Sequence, residues 1–221
     1  MKKVSVIALG YRAALIVDRL RFRKQYEGIR FVYCNADRDL LKDCGNEDDE
    51  HILLTDVAQC IEDIHEEKVL MSVLVSCLGN DLDYKNFSWK YASVIMEELW
   101  KQSDNTYCFA SLPFWAGGQR DLGIEEFKKI TYWSDITVLQ DDLKEPNRYW
   151  GYGMDEGLVD LLDLILRPIH GDLSQGCDKV PFGVWATQKQ LITAFMAKYS
   201  NNMPEYYKEG TFSFHKSTHE D

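Results

Sequence analysis

Apolar residues in this chain fall in short unbroken runs, separated by stretches in which they recur at every third or fourth position. "VSVIAL" (4–9), "IRFVYCN" (29–35), the run 69–78, "TYCFASLPF" (106–114) and "DITVLQ" (135–140) are runs of the first kind. Rich in β-branched and aromatic residues, and without a polar face, they read as strands buried on both sides. Between them, 13–26, "FSWKYASVIMEELWKQ" and "IEEFKKITYW" carry helical spacing. "EHILLTDVAQCIEDIHEE" predicts a short extended piece and then a helix, with Asp56 as its N-cap. This alternation predicts an α/β fold: a three-layer parallel sheet with helices on both faces.

Beyond the last run the pattern changes. "MDEGLVDLLDLILRPI" (154–169) is an apolar helix ending near Pro168, and "ATQKQLITAFMAKY" is a further amphipathic helix. The closing "HKSTHED" reads as frayed and the acidic cluster "NEDDEH" (46–51) as a solvated loop. Two regions follow: a domain over 1–169 and a C-terminal extension over 170–221.

Composition narrows the function classes. The 221 residues are 45% hydrophobic and 28% charged, an ordinary globular balance. A net charge of −11 disfavours nucleic acid and anionic membrane surfaces as partners, because both need clustered cations. No apolar run approaches the ~20 residues of a membrane span, and "MKKVSVIALGYR", which soon turns polar, does not read as a signal peptide. The expected location is the cytoplasm. The six cysteines have neither CxxC nor zinc-ligand spacing. Cys34, Cys77 and Cys108 lie in strand-like runs, which predicts reduced, buried thiols.

Ligands of such sheets gather at the carboxyl ends of the strands. After the first strand, Ala8-x-Gly10-x-x-Ala13 is a dinucleotide fingerprint lacking its first glycine, and Asp37 lies 27 positions beyond Gly10. The stretch is either a cofactor turn or a tight turn and nothing more. Gly118 and Gly123 have the spacing of a phosphate loop, but Ile124 stands where lysine is needed. Ser76 and Ser111 lack a nucleophile-elbow context. His215 and His219 are a weak metal pair, His170 reads as a loop residue, and Tyr149, Trp150 and Tyr152 either stack on a base or, the favoured reading, cover the sheet edge.

In order and spacing, these stretches resemble the nucleotide-binding domain of FtsZ and tubulin over roughly residues 3–169. "VSVIALGYRAALIVDRL" is similar to that family's opening strand, glycine loop and first helix, with Gly10, Tyr11 and Arg12 in the loop. "EGIRFVYCNADRDLL" is similar to the next strand and its polar loop, keeping Asn35 and Asp37. "SLPFWAGGQR" resembles the Pro-Phe-x-x-x-Gly element through Pro113, Phe114 and Gly118, and "SDITVLQDDL" the strand and polar turn after it. "MDEGLVDLLDLILRP" looks like the central helix. The resemblance implies a GTPase-type domain with GTP or GDP as candidate cofactor, and it places Asp155 toward the guanine.

The sequence also departs from that family. Where the family carries a run of glycines and threonines around the phosphates, this chain reads Gly79-Asn80-Asp81-Leu82-Asp83-Tyr84. Glycine lets backbone amides converge on phosphate. Two carboxylates within ~5 Å of a triphosphate each cost on the order of 1 to several kcal/mol. The positions that complete the neighbouring subunit's hydrolytic site hold Asp172, Ser174 and Cys177, with Asp178 one place out of register. With the stretch after Pro168 ending at residue 221, a counterpart of the family's C-terminal domain is not expected there. The expectation is a scaffold with a degenerate phosphate loop, a non-catalytic interaction or assembly protein that engages a protein partner or itself. The alternatives are weak GTP or nucleotide binding without self-activated hydrolysis, and a Rossmann-type dinucleotide enzyme.

Overall fold

The computed structural model describes residues 4–65, 68–79, 88–113, 118–144, 155–170, 179–202 and 211–217. Its first strand, β1 (Val4–Leu9), passes through Gly10 into helix α1 (Tyr11–Arg23). Then come β2 (Ile29–Asn35), the short helix α2 (Arg38–Lys42), β3 (Glu50–Leu53) and α3 (Val57–Ile64). The chain continues through β4 (Met71–Cys77), a 3-10 turn at Ser88–Tyr91 and α4 (Ala92–Gln102). Next are β5 (Thr106–Leu112), α5 (Gly118–Trp133), β6 (Ile136–Asp141) and α6 (Glu156–Leu166). The remaining elements are β7 (Pro168–His170), β8 (Lys179–Pro181), α7 (Phe182–Trp185), α8 (Gln188–Asn202) and β9 (Phe212–Lys216).

Seven strands form one sheet in the order β3-β2-β1-β4-β5-β6-β9. The first six run parallel and β9 pairs antiparallel with β6. A separate hairpin pairs β7 with β8. Successive strand residues divide between two cores. Val6, Val73, Phe109 and Val138 face α1, α6 and α8; Ile7, Leu74, Cys108 and Leu139 face α3, α4 and α5. Burial on both faces is why these strands carry no polar alternation.

The strand order reverses between β1 and β4. That switch opens a crevice at their carboxyl ends, where open α/β sheets bind ligands. Helix α6 lies on one face, packed against α1 and α8.

Asp56 caps α3 as expected, its side chain accepting from the Ala58 amide. Several expectations need correction. Helix α1 begins at Tyr11 rather than residue 13, because Gly10, at φ 89, turns the chain directly into the helix. It ends at Arg23 rather than Tyr26, whose hydroxyl instead donates to Asp163 on α6. The closing segment is not frayed from its start: His215 and Lys216 lie in β9, so His215 has no helical face to share with His219, which is outside the described residues. The acidic stretch 46–51 is only partly a solvated loop. Glu50 and His51 belong to β3, Asp49 pairs with Arg21, and Glu50 pairs with Arg30. No helix among the described residues is long and apolar enough to cross a membrane.

Candidate functional site

The crevice at the β1–β4 switch is built on glycines at both lips. Gly10 donates its amide to Cys34 O (2.8 Å), accepts from the Ala14 amide (3.0 Å), and caps α1 with backbone alone. Gly79, just past β4, has φ +70, and a Cβ on it would sit 2.4 Å from Gln119 O. Gly123 is also confined, though less tightly: its Cβ would lie 3.0–3.1 Å from the backbone of Leu78 and Gly79. These two glycines let the first turns of α5 seat against the end of β4. Gly118 differs, since nothing lies within 4 Å of an added Cβ.

The floor of the crevice is ionic. Arg12, in the first turn of α1, donates to Asp142 just beyond β6 (2.7 Å) and to Asp155 at the start of α6 (2.7 Å). A second contact to Asp155, from Nε, is 3.4 Å, and Arg19 stands 3.8 Å from the same carboxylate. Asp142 is 1% exposed and also accepts from Gln140 Nε2 (2.7 Å). Burial works against the Arg12 cation, but Asp142 and Asp155 outweigh it and hold its pKa above the usual value. Burial also lifts the Asp142 carboxyl, and it prevails over the opposing pull of Arg12 and Gln140. Beneath them, burial pushes the Cys77 thiol up to about 12 despite nearby Arg12.

The preceding residue, the last of β6, serves the other layer. Consecutive strand residues point to opposite faces, so Asp141 turns toward α5 and accepts from Arg120 (2.6 Å). Arg120 also donates to Pro113 O, tying the ends of β5 and β6 to the helix. One pair of adjacent aspartates therefore clamps one arginine from each helical layer.

The sequence-predicted residues sort as follows. Arg12 and Asp155 meet directly, with Gly10 at the turn beside them. Tyr11 is partly buried against the α1–α6 core. Asn35 Oδ1 accepts from the Asp37 amide (2.8 Å) and from Ser88 Oγ (3.4 Å). The Asp37 side chain caps α2 through the amides of Asp39 and Leu40. Asn80, Phe114, Asp81, Asp83, the aromatics at 149, 150 and 152, and residues 172–178 lie outside the described residues. Sequence reading missed Asp141, Asp142 and Arg120, and it weighed Gly123 only as part of a failed phosphate loop. The available signal was the pair of acids closing an apolar strand, which burial forbids unless cations meet them. Among the described residues no group of His, Cys, Asp and Glu has the arrangement to hold a metal ion.

No protein-family model and no curated protein matches the sequence. Solved structures do match in fold. An empty FtsZ dimer from M. jannaschii superposes with a TM-score of 0.62 at 21% identity, covering 80% of this chain and 59% of that one. The domain is a divergent FtsZ/tubulin-like fold. CetZ1 from Haloferax volcanii, a GDP-bound monomer, matches the FtsZ/tubulin-like domain with a TM-score of 0.61 at 17% identity, covering 88% and 64% of the two chains. CetZ2 from the same organism, solved as a GTPγS-bound protofilament, gives 0.56 at 16%, covering 74% and 58%. The chain thus spans about three-fifths of the length of these FtsZ-like chains.

Proposed function

We propose that the chain uses its FtsZ/tubulin-like fold as an interaction or assembly scaffold whose nucleotide crevice is filled from within. One observation carries this reading: the Arg12 guanidinium lies between Asp142 and Asp155. The resemblance assigns Asp155 to guanine recognition. A guanine offers a carboxylate two adjacent N–H donors, and Arg12 already presents two N–H groups to that carboxylate. A nucleotide has to displace a buried, doubly paired arginine before it reaches this acceptor. Gly79 supports the same view, because its backbone is backed by Gln119 O. The neighbouring Asp81 and Asp83 add negative charge where phosphate would need amides. Self-association is the favoured form of interaction, since neighbours of this fold are solved as a dimer and as a protofilament.

A second reading, weak GTP or GDP binding without self-activated hydrolysis, draws support from the neighbours solved with GDP and GTPγS. It also draws on the Gly10 turn, which is kept. The dinucleotide-enzyme reading has less support, because the Asp37 carboxylate is engaged in capping α2.

The test is direct. Protein purified without added nucleotide and then denatured should release no guanine nucleotide, and phosphate release from GTP should stay at background across protein concentration. Sedimentation velocity over the same range should show self-association that added GTP does not alter. Co-purifying GDP favours the second reading. Turnover that climbs steeply with concentration would overturn the scaffold reading.

A further inference from the structure

Among the described residues, the most exposed large apolar side chain lies on α1: Phe22 is 95% exposed. The helix turns Ala13, Ile16, Val17 and Leu20 into the core. Phe22 and the partly exposed Leu15, seven positions before it, therefore fall together on the outer face. A lone aromatic on a surface is ordinary. What singles this one out is the charge beside it.

Two rows of opposite sign run next to Phe22. Helices α1 and α6 lie side by side in the same direction, as the successive pairs Arg12–Asp155, Arg23–Asp160 and Lys24–Asp163 show. The α1 row is basic, with Arg19, Arg23 and, just past the helix, Lys24. The α6 row is acidic, with Glu156, Asp160 and Asp163. Arg23 and Glu156 each keep 36% of the side chain in solvent, and Asp160 a similar share. Pairing within the molecule thus leaves part of each charge open to a partner.

That arrangement selects the partner. A face basic along one side and acidic along the other complements itself when turned by a half-rotation about an axis parallel to the rows. Helix α1 of each copy then faces α6 of the other. An axis across the rows would instead stack cation on cation and carboxylate on carboxylate, which costs binding energy. The acidic row also repels anionic membranes and nucleic acid. The surface fits a second copy of this chain.

We propose that the outer face of α1 and α6 is a two-fold interface between two copies of this chain, with Phe22 anchored against α6 of the partner copy. The proposal rests on the self-association put forward above and names the surface that carries it. Helix α1 is about 20 Å long, and two packed helices span about 20 Å. The face therefore offers roughly 400 Å² per copy, half of the ~800 Å² per partner in a standard stable interface. The dimer is weak and reversible, and it depends on its aromatic anchor.

Sedimentation velocity of the whole chain, from low micromolar to near-millimolar protein, should show a monomer–dimer equilibrium that weakens as salt rises. Phe22→Ser should raise the dissociation constant at least about 100-fold. A two-fold interface buries the ring twice, and each burial is worth about ten-fold or more. The same variant should unfold at the wild-type temperature when monomeric, because the ring already lies in water. A charge-swapped chain, Arg23→Glu with Glu156→Lys and Asp160→Lys, keeps the two rows opposite in sign within one molecule. It should pair with itself and refuse wild type, which dye-labelled mixtures report in the same instrument. Mixed dimers as abundant as like pairs would overturn the facing of α1 on α6. The proposal is also overturned if wild type stays monomeric throughout, or if Phe22→Ser associates as tightly as wild type. That last result would leave self-association itself standing, and nucleotide release on denaturation tests the filled crevice independently of both.

Discussion

Replacing Arg12 with alanine would leave Asp142 and Asp155 facing each other in a crevice where Asp142 has 1% exposure. Removing one partner of a buried ion pair costs about 3–5 kcal/mol, and that loss is expected for Arg12→Ala at neutral pH. The sign with pH follows from burial. The folded-state Asp142 carboxyl is already raised, and losing the cation raises it further. A carboxyl with a raised folded pKa favours the folded state when protonated, so the deficit is largest above that pKa. It shrinks as pH falls toward the unfolded value of about 4. Denaturant unfolding of both proteins at pH 7 and pH 4.5 checks this; equal deficits at the two values would refute it. The glycines give a sharper contrast. Gly79→Ala places a methyl 2.4 Å from Gln119 O at positive φ and should cost roughly 2–4 kcal/mol. Gly118→Ala meets open space and should stay within about 0.5 kcal/mol of wild type. Both glycines were legible in the sequence as candidate phosphate positions. Only packing separates the one that α5 requires from the one it does not.

At the scale of elements, α1 and α6 are joined by a ladder of charge. Arg12, Arg19 and Arg23 lie along one stripe of α1 and, with Lys24 just beyond it, meet Asp155, Glu156, Asp160 and Asp163 of α6. The outer rungs are partly exposed, and such pairs contribute ~0–1 kcal/mol each, so the buried Arg12 rung dominates. Asp163 closes the ladder with Lys24, Tyr26 and Arg167 around it. Burial alone would raise its carboxyl, but these three donors together leave it below the usual range. A depressed folded pKa contributes stability that is present above the unfolded value and lost as pH falls through the folded one. Wild type should therefore exceed Asp163→Asn in stability at neutral pH, and the two should converge on the acid side of about pH 4. Thermal unfolding across pH 2.5–7 tests it, and parallel curves would show that Asp163 is not linked to the acid limb.

For the whole molecule, β9 matters most among the elements the sequence did not reveal. It returns to the open edge of β6, with the Asp141 amide donating to Thr211 O (2.7 Å) and the Ser217 amide to Asp135 O (3.2 Å). Phe214 stacks on Phe195 of α8 and Phe212 meets Tyr199, so the strand covers part of the core as well as an edge. Exposed edges and apolar patches invite association between chains. Removing residues 211–221 is expected to lower the unfolding temperature and shift the protein to larger species in size-exclusion chromatography. An unchanged profile in both measurements would show that β9 is dispensable.

The sequence by itself determined the type and order of the main elements through α6, though not the short helix α2, and with them the three-layer α/β architecture. Those signals are local: a strand buried on two faces needs an unbroken apolar run, and a helix on a sheet needs apolar residues at helical spacing. It also marked Gly10, Arg12 and Asp155 as residues of one crevice. The tertiary structure alone decided which partners they meet there. Arg12 and Asp142 are 130 positions apart in the chain, and no periodicity relates residues at that separation. Asn35 and Asp37 turned to capping and loop bonds for the same reason, since a carboxylate or amide satisfies whichever donor the fold brings within reach. β9 escaped notice because a short strand that alternates polar with aromatic residues is specified less by its own pattern than by the edge it completes.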